Sequence, residues 1–162
     1  MIQRREFIAL IGGAAAARLD ISQGNVQPIP IALPDFIVGS IDRDTARDIM
    51  QIIVANLQRS GFFAPIDPAA YIGRITSFDA FPRFPDWRQI KAQLLVTGRV
   101  SREGSSLKAE FRLWDVFAGS SLEGRQYTTS PQNWRCIANI ISDAIYEKVT
   151  GDQGYFDSED SR

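Results

Sequence analysis

The chain has 162 residues, 44% of them hydrophobic, and its 18 basic and 19 acidic residues leave a formal net charge of -1. That length suits one domain with a buried core, and the near-zero charge argues against nucleic acid or an anionic lipid surface as a partner. No histidine occurs, so the commonest general base and the commonest neutral metal ligand are missing. We therefore expect no catalytic residues, no metal and no cofactor.

The first seventeen residues follow the three-part plan of a secretory signal peptide. Arg4 and Arg5 form a basic start, an apolar stretch begins at Phe7 and Ile8, and an alanine run ends at Ala17. Two arginines before an apolar pair are also typical of a twin-arginine export signal. The apolar stretch is too short to cross a hydrocarbon layer of ~30 Å, so no permanent membrane anchor is expected. We expect cleavage after Ala17; the alternative is the arginine-rich start of a cytosolic helix.

Farther along the chain, the spacing of apolar residues predicts strands and helices in turn. Residues 27–36 are predicted as a strand suited to a sheet edge, since Pro30 and Pro34 cannot donate to a central ladder. Asp42 is the expected N-cap of a first long helix, and Gly61 should end it in a left-handed conformation. The expected buried face of this helix consists of Ala46, Ile49, Met50, Ile53 and Leu57.

The middle of the chain predicts short elements and then a meander. Residues 62–66 are expected to form a strand, residues 69–83 a loop, and residues 85–92 a short helix with a proline in its first turn. A turn signal at residues 102–105 lies between two apolar strands. The three meander strands are expected over residues 94–100, 107–114 and 122–129.

The second meander strand alternates apolar residues with Lys108, Glu110, Arg112 and Trp114, which predicts one solvent-exposed face. Ser130 with Pro131 should begin the last helix, and Gly151 should end it. The expected inner face of that helix consists of Trp134, Ile137, Ala138, Ile141, Ile145 and Val149.

The order of elements predicts an α/β or α+β domain. We expect a mixed β-sheet of about five strands, packed with two long helices and one short helix. The domain should cover residues 18–157, and residues 158–162 form a polar tail.

Candidate chemistry is sparse along the sequence. Asp42 with Asp44 and Glu159 with Asp160 are possible carboxylate pairs, but the first pair suits a helix start and the second a charged tail. Cys136 cannot form an internal disulfide, and its position in a helix pattern predicts a small buried residue.

Three blocks of sequence carry a resemblance to a known family. They are residues 18–24 running into 28–36, residues 56–63, and residues 134–156, and the segments 87–88, 95–98 and 111–115 fit in order between them. In this order they resemble the amino-terminal domain family of TolB, the periplasmic component of the Tol-Pal system. The resemblance spans residues 18–157.

The resemblance implies a periplasmic protein-interaction module of the Tol-Pal envelope and cell-division system. In the family, the newly exposed amino-terminal segment binds the carboxy-terminal domain of TolA. An extended strand with Leu19 and Ile21 on one face suits addition to a partner sheet, but the same two residues would also suit packing on this domain's own sheet. On this sequence the segment consists of Arg18, Leu19, Asp20, Ile21, Ser22 and Gln23.

Two departures from the family qualify the expectation. The family's β-propeller, which binds Pal, follows this domain, and because the sequence ends at Arg162 we do not expect Pal as a partner. Family members often carry a histidine where this chain has Asn139, which we interpret as a surface variation. The alternatives are a truncated paralogue without a productive partner and, less favoured, a small carboxylate-dependent hydrolase or ligand-binding enzyme.

Overall fold

The computed structural model describes residues 27–39, 43–152, 154 and 156. Within these ranges a mixed six-stranded sheet is packed with three α-helices, which confirms the expected class and adds one very short strand. The strands are β1 (Ile29–Ala32), β2 (Ile37–Val38), β3 (Phe63–Pro65), β4 (Leu94–Glu103), β5 (Ser106–Asp115) and β6 (Ser120–Thr129), and the helices are α1 (Arg43–Ser60), α2 (Phe84–Gln89) and α3 (Trp134–Thr150).

The sheet joins a parallel half to an antiparallel half. Its strand order is β3-β1-β4-β5-β6, with β2 pairing beside β4 farther along that strand. β1 is parallel to both β3 and β4, whereas β4, β5 and β6 form the expected antiparallel meander. The expectation that the first strand suits an edge is wrong, since β1 lies between β3 and β4.

The position of the prolines explains how β1 can be an inner strand. Ile29 N donates to Phe62 O at 2.9 Å on the β3 side, while Pro30 O accepts from Gln93 N at 3.0 Å on the β4 side. The ladder between β1 and β4 begins only at Ile31. In an extended strand the N and O atoms of one residue point to the same side, so the Pro30 nitrogen faces β4. Pro30 precedes the first paired residue of the β1–β4 ladder, and its missing N–H therefore costs that ladder no hydrogen bond.

The main core lies between one face of the sheet and the two long helices. The expected buried face of α1 is confirmed, and Gly61 ends that helix at φ 83°. In α3 the central residues of the expected face are buried, Trp134 and Val149 are partly buried, and Gly151 ends the helix at φ 80°. The sheet residues of this core include Ile31, Val96, Leu107, Phe111 and Leu113.

Of the two expected starts of the long helices, one lies outside the described residues and the other is wrong. Asp42 lies outside the described residues. Ser130 does not cap α3, because the turn Pro131–Asn133 comes first and the Ser130 side chain makes no cap hydrogen bond. The predicted helix over residues 85–92 is also too long, since α2 ends at Gln89 and Lys91 has a positive φ of 67°.

A second, smaller core covers one end of the opposite sheet face. Trp114, expected on a solvent-exposed face, is only 2% exposed because α2 and the loop before it cover this end of β5. Its indole nitrogen donates to Thr97 Oγ1 at 3.0 Å, which satisfies the buried donor. Lys108, Glu110 and Arg112 on the same face are half-buried rather than fully exposed.

Two smaller expectations also change. Cys136 is partly exposed, so the prediction of a buried residue is wrong. Asp44 lies on the surface of α1 and pairs with Arg47 at 3.4 Å, while Glu159 and Asp160 lie outside the described residues. In the described ranges, no helix combines the length and the apolar character needed to cross a membrane.

Candidate interaction site

The predicted partner-binding residues Arg18 to Gln23 lie outside the described residues, as do Arg4, Arg5, Phe7 and Ile8 of the export signal and the cleavage position after Ala17. The structure does show where the chain that follows them joins the sheet. Gln27 and Pro28 are exposed and lead into the first hydrogen bond of β1. The described chain thus begins at the end of the sheet where β4 begins and β5 ends.

Exposed aromatic side chains lie near this end of the sheet. The turn between β5 and β6 is held there because Val116 N donates to Gln93 O at 3.0 Å. Within that turn Phe117 is 57% exposed. Phe81, from the loop before α2, is 72% exposed, and its ring centroid lies 5.4 Å from that of Trp114. Large exposed apolar side chains of this kind are typical of interaction surfaces when they cluster.

In the middle of the same sheet face, charged side chains contact one another and the Phe78 ring, and these contacts stabilise the fold. Two guanidinium groups lie close to the Phe78 ring, with Arg99 Cζ at 4.8 Å and Arg112 Cζ at 4.7 Å from its centroid. Arg99 also donates to both carboxylate oxygens of Glu110, at 2.8 and 3.1 Å. These bonds hold the pKa of Glu110 below its ordinary value, so this carboxylate stays ionised at neutral pH and is a poor general acid.

A polar cleft lies between α1 and α3 on the other side of the molecule. We call it the arginine cleft, because Arg59 and Arg135 contribute its charges. Its volume is about 300 Å³, and its remaining lining comes from Ile52, Ala55, Asn56, Asn139 and Phe156.

Buried amides form the floor of the arginine cleft. Asn56 Nδ2 donates to Asn139 Oδ1 at 2.8 Å and to Ser142 Oγ at 3.1 Å, while Asn56 Oδ1 accepts from Arg59 Nη2 at 2.7 Å. Asn139 is only 3% exposed, so its interpretation as a surface variation is wrong. It lies on the helix–helix interface, where a buried amide needs a partner that the sequence does not identify.

A signal for this network was nevertheless present in the sequence. Asn56 follows Ile53 by three residues, and Ser142 follows Ala138 by four, so both continue the apolar faces of their helices. Polar residues at such positions indicate a polar seam within a helix–helix contact. Sequence reasoning missed the arginine cleft because the two helices are far apart along the chain.

The chemistry available in the arginine cleft is hydrogen bonding and charge. Guanidinium groups supply several donors in a plane that matches carboxylate and phosphate oxygens. The described residues of the cleft lining include no carboxylate. In the part of the chain that the structure describes, no group of three or more His, Cys, Asp or Glu residues could hold a metal ion.

Comparison with known proteins connects these features to a family and a fold. The family model described as the TolB amino-terminal domain matches residues 17–122. Among solved structures, TolB from Acinetobacter baumannii is similar at 22% identity and a TM-score of 0.68, over 81% of this chain and 30% of that one. This chain thus spans less than a third of that TolB.

Shorter proteins share the fold more distantly. The LpoB carboxy-terminal domain from Salmonella enterica matches at 13% identity and a TM-score of 0.50, over 66% of this chain and 86% of that chain. A PelC dodecamer from Paraburkholderia phytofirmans matches at 15% identity and a TM-score of 0.50, over 78% and 91% of the two chains. At these identities the likeness is one of fold.

Proposed function

The chain belongs to the TolB amino-terminal domain family, and from this premise we propose that it is a periplasmic protein-interaction module of the Tol-Pal system. It presents its processed amino-terminal segment, Arg18 to Gln23, to the carboxy-terminal domain of TolA. The observation that carries the proposal is the match over residues 17–122, which includes this segment. The structural support is that the described chain begins, with exposed residues, at an end of the sheet.

The geometry of attachment suits a segment that binds outside its own domain. The first described hydrogen bond of β1 begins at Ile29, and Gln27 and Pro28 are exposed. The five residues between Gln23 and Ile29 can span at most about 21 Å. That length lets residues 18–23 pair with a partner sheet, where backbone hydrogen bonds supply affinity and alternate side chains supply selectivity.

Export is part of the same proposal. Residues 1–17 direct the chain to the periplasm, and cleavage after Ala17 makes Arg18 the new terminus. Intact-mass measurement on protein recovered from the periplasm should give a chain that begins at Arg18. A chain recovered with Met1 in place would contradict this step.

We also propose that the chain has no catalytic role. Glu110 is held ionised by Arg99, and none of the described residues that line the arginine cleft carries a carboxylate. The properties of a whole TolB protein, Pal binding among them, are not carried over to a chain that spans 30% of the matched TolB.

Titration calorimetry with the purified TolA carboxy-terminal domain tests the partner. The mature chain should bind, and a chain that lacks residues 18–23 should not. The double variant L19D/I21D, which changes the apolar face of the segment, should lose binding at least tenfold. The matched variant D20N/S22A changes the opposite face and should keep binding within about threefold.

Circular dichroism melting of all four proteins separates a loss of TolA binding from a loss of folding. Unchanged TolA binding after the deletion would refute the proposed site. Absence of binding by the intact mature chain would refute TolA as the partner.

A further inference from the structure

Two arginines of the arginine cleft retain free hydrogen-bonding capacity. Arg59 uses one nitrogen on Asn56 Oδ1 at 2.7 Å, and Arg135 Cζ lies 4.8 Å from the ring centroid of Trp134. Among the described residues, neither arginine forms an ion pair. A guanidinium carries five N–H donors, so both can still receive a carboxylate.

The chain after α3 turns back toward this cleft. Gly154 N donates to Glu147 Oε2 at 2.8 Å, and Phe156 N donates to Asp143 Oδ1 at 2.8 Å. From Gly154 to Phe156 the chain thus runs back along α3 by one helical turn, toward the start of that helix. The approach is close, because a Cβ on Gly154 would come within 2.5 Å of Asp143 Oδ1.

Phe156 fixes the end of this return. Its side chain is 2% exposed and lines the cleft, and its ring centroid is 5.9 Å from that of Tyr146. Arg59 Cζ lies 6.0 Å from the same Phe156 centroid. Phe156, the residue directly before Asp157 in the sequence, therefore lies close to the Arg59 guanidinium, which keeps N–H donors beyond the one bonded to Asn56.

The residues that follow Phe156 have the complementary charge. Asp157, Glu159 and Asp160 place three carboxylates within four residues. Arg135 lies two helical turns, or about 12 Å, before Asp143 along α3. Four extended residues span up to about 14 Å, so the chain from Phe156 can reach it.

We propose that the arginine cleft is the docking site of the chain's own acidic segment, residues 157–160. Arg59 and Arg135 receive its carboxylates while Phe156 anchors the adjoining chain. The docking does not depend on the TolA proposal, since the amino-terminal segment takes no part in it.

Nuclear magnetic resonance of the arginine side chains in the full chain tests this docking. Neutralising the segment with D157N/E159Q/D160N should shift the Nε–Hε signals of Arg59 and Arg135 and speed their exchange with water. The variant D44N is the control, because it neutralises the acid beside Arg47 on α1 and should move only the Arg47 signal. Unchanged Arg59 and Arg135 signals in the triple variant would overturn the proposal.

A competition measurement supplies an independent readout. The probe is a fluorescent peptide with the sequence of residues 157–162. Because a tethered segment competes at millimolar effective concentration, the peptide should bind the triple variant about fivefold more tightly than the unaltered chain. Adding R59Q/R135Q to the triple variant should abolish that binding, with folding checked by circular dichroism. Equal peptide affinity for all three proteins would contradict the docking.

Discussion

Replacing Asn139 with alanine should destabilise the domain, because the change removes an acceptor from the amide network between α1 and α3. Asn139 Oδ1 accepts from Asn56 Nδ2 at 2.8 Å. The other hydrogen bond of Asn56 Nδ2, which it donates to Ser142 Oγ at 3.1 Å, would remain. One N–H of Asn56, a residue only 4% exposed, would then lose its partner.

The expected magnitude follows from the fate of that N–H group. A buried donor left unsatisfied costs about 1–3 kcal/mol, compared with a mean net contribution of about 1 kcal/mol for an ordinary hydrogen bond. Asn139 also lines the arginine cleft, so water can enter the vacated space and moderate the loss. We expect the free energy of unfolding to fall by about 2 kcal/mol, which lowers Tm by about 4–8 °C in a domain of this size.

Urea unfolding, followed by circular dichroism and tryptophan fluorescence, measures this loss. The matched control is N133A, which removes an exposed amide that donates to Thr129 Oγ1 at 3.3 Å and should change stability by less than about 0.5 kcal/mol. The double variant N56A/N139A should lose less than the sum of the single losses, since the two side chains are partners. Equal stability of N139A and N133A would refute the reasoning.

Two further predictions concern the sheet. Gly98→Ala should destabilise the domain by about 1–3 kcal/mol, because the new Cβ would lie 2.5 Å from the Phe36 ring. The control is Gly124→Ala, whose Cβ would meet no atom closer than 3.5 Å. Equal melting temperatures for the two variants would contradict this packing. Glu110→Gln should lower stability at neutral pH by about 1 kcal/mol. Arg99 lowers the pKa of Glu110, so the stability that the ion pair contributes is complete above the ordinary glutamate pKa and is lost as pH falls below about 4.3. The difference in urea unfolding between the unaltered chain and the Glu110→Gln variant should therefore shrink over that acid range. A constant difference would show that the ion pair is not its source.

Local patterns predicted the helices because their signals are local. The apolar spacing in α1 identified five buried residues, and Gly61 and Gly151 ended the two long helices in the left-handed conformation that glycine favours. The meander was also predictable, since its strands are joined by short turns and pair with their neighbours in the sequence. The ends of α2 and the start of α3 were less predictable, because both depend on turns whose side-chain caps are absent.

Of the two candidate sites, one could be predicted from the sequence and the other could not. The resemblance identified the family and pointed to Arg18–Gln23 as the partner-binding segment, which remains a prediction. The arginine cleft could not be predicted, since it depends on Arg59 and Arg135 meeting across a helix–helix contact. The predicted burial of Cys136 and the predicted exposure of Trp114 were wrong for a related reason. The exposure of both side chains depends on elements that are distant in the sequence.

The sequence alone determined the two long helices, where those helices end, the three-stranded meander, and to which family the pattern is similar. Periodicity and glycine conformation act over a few residues, so they can be recognised without the fold. The tertiary structure decided that β1 lies inside the sheet, that Trp114 is covered, and that Asn56 meets Asn139 at a sequence separation of 83 residues. These outcomes depend on which surfaces pack together, and burial and hydrogen bonding across such contacts are properties of the assembled chain.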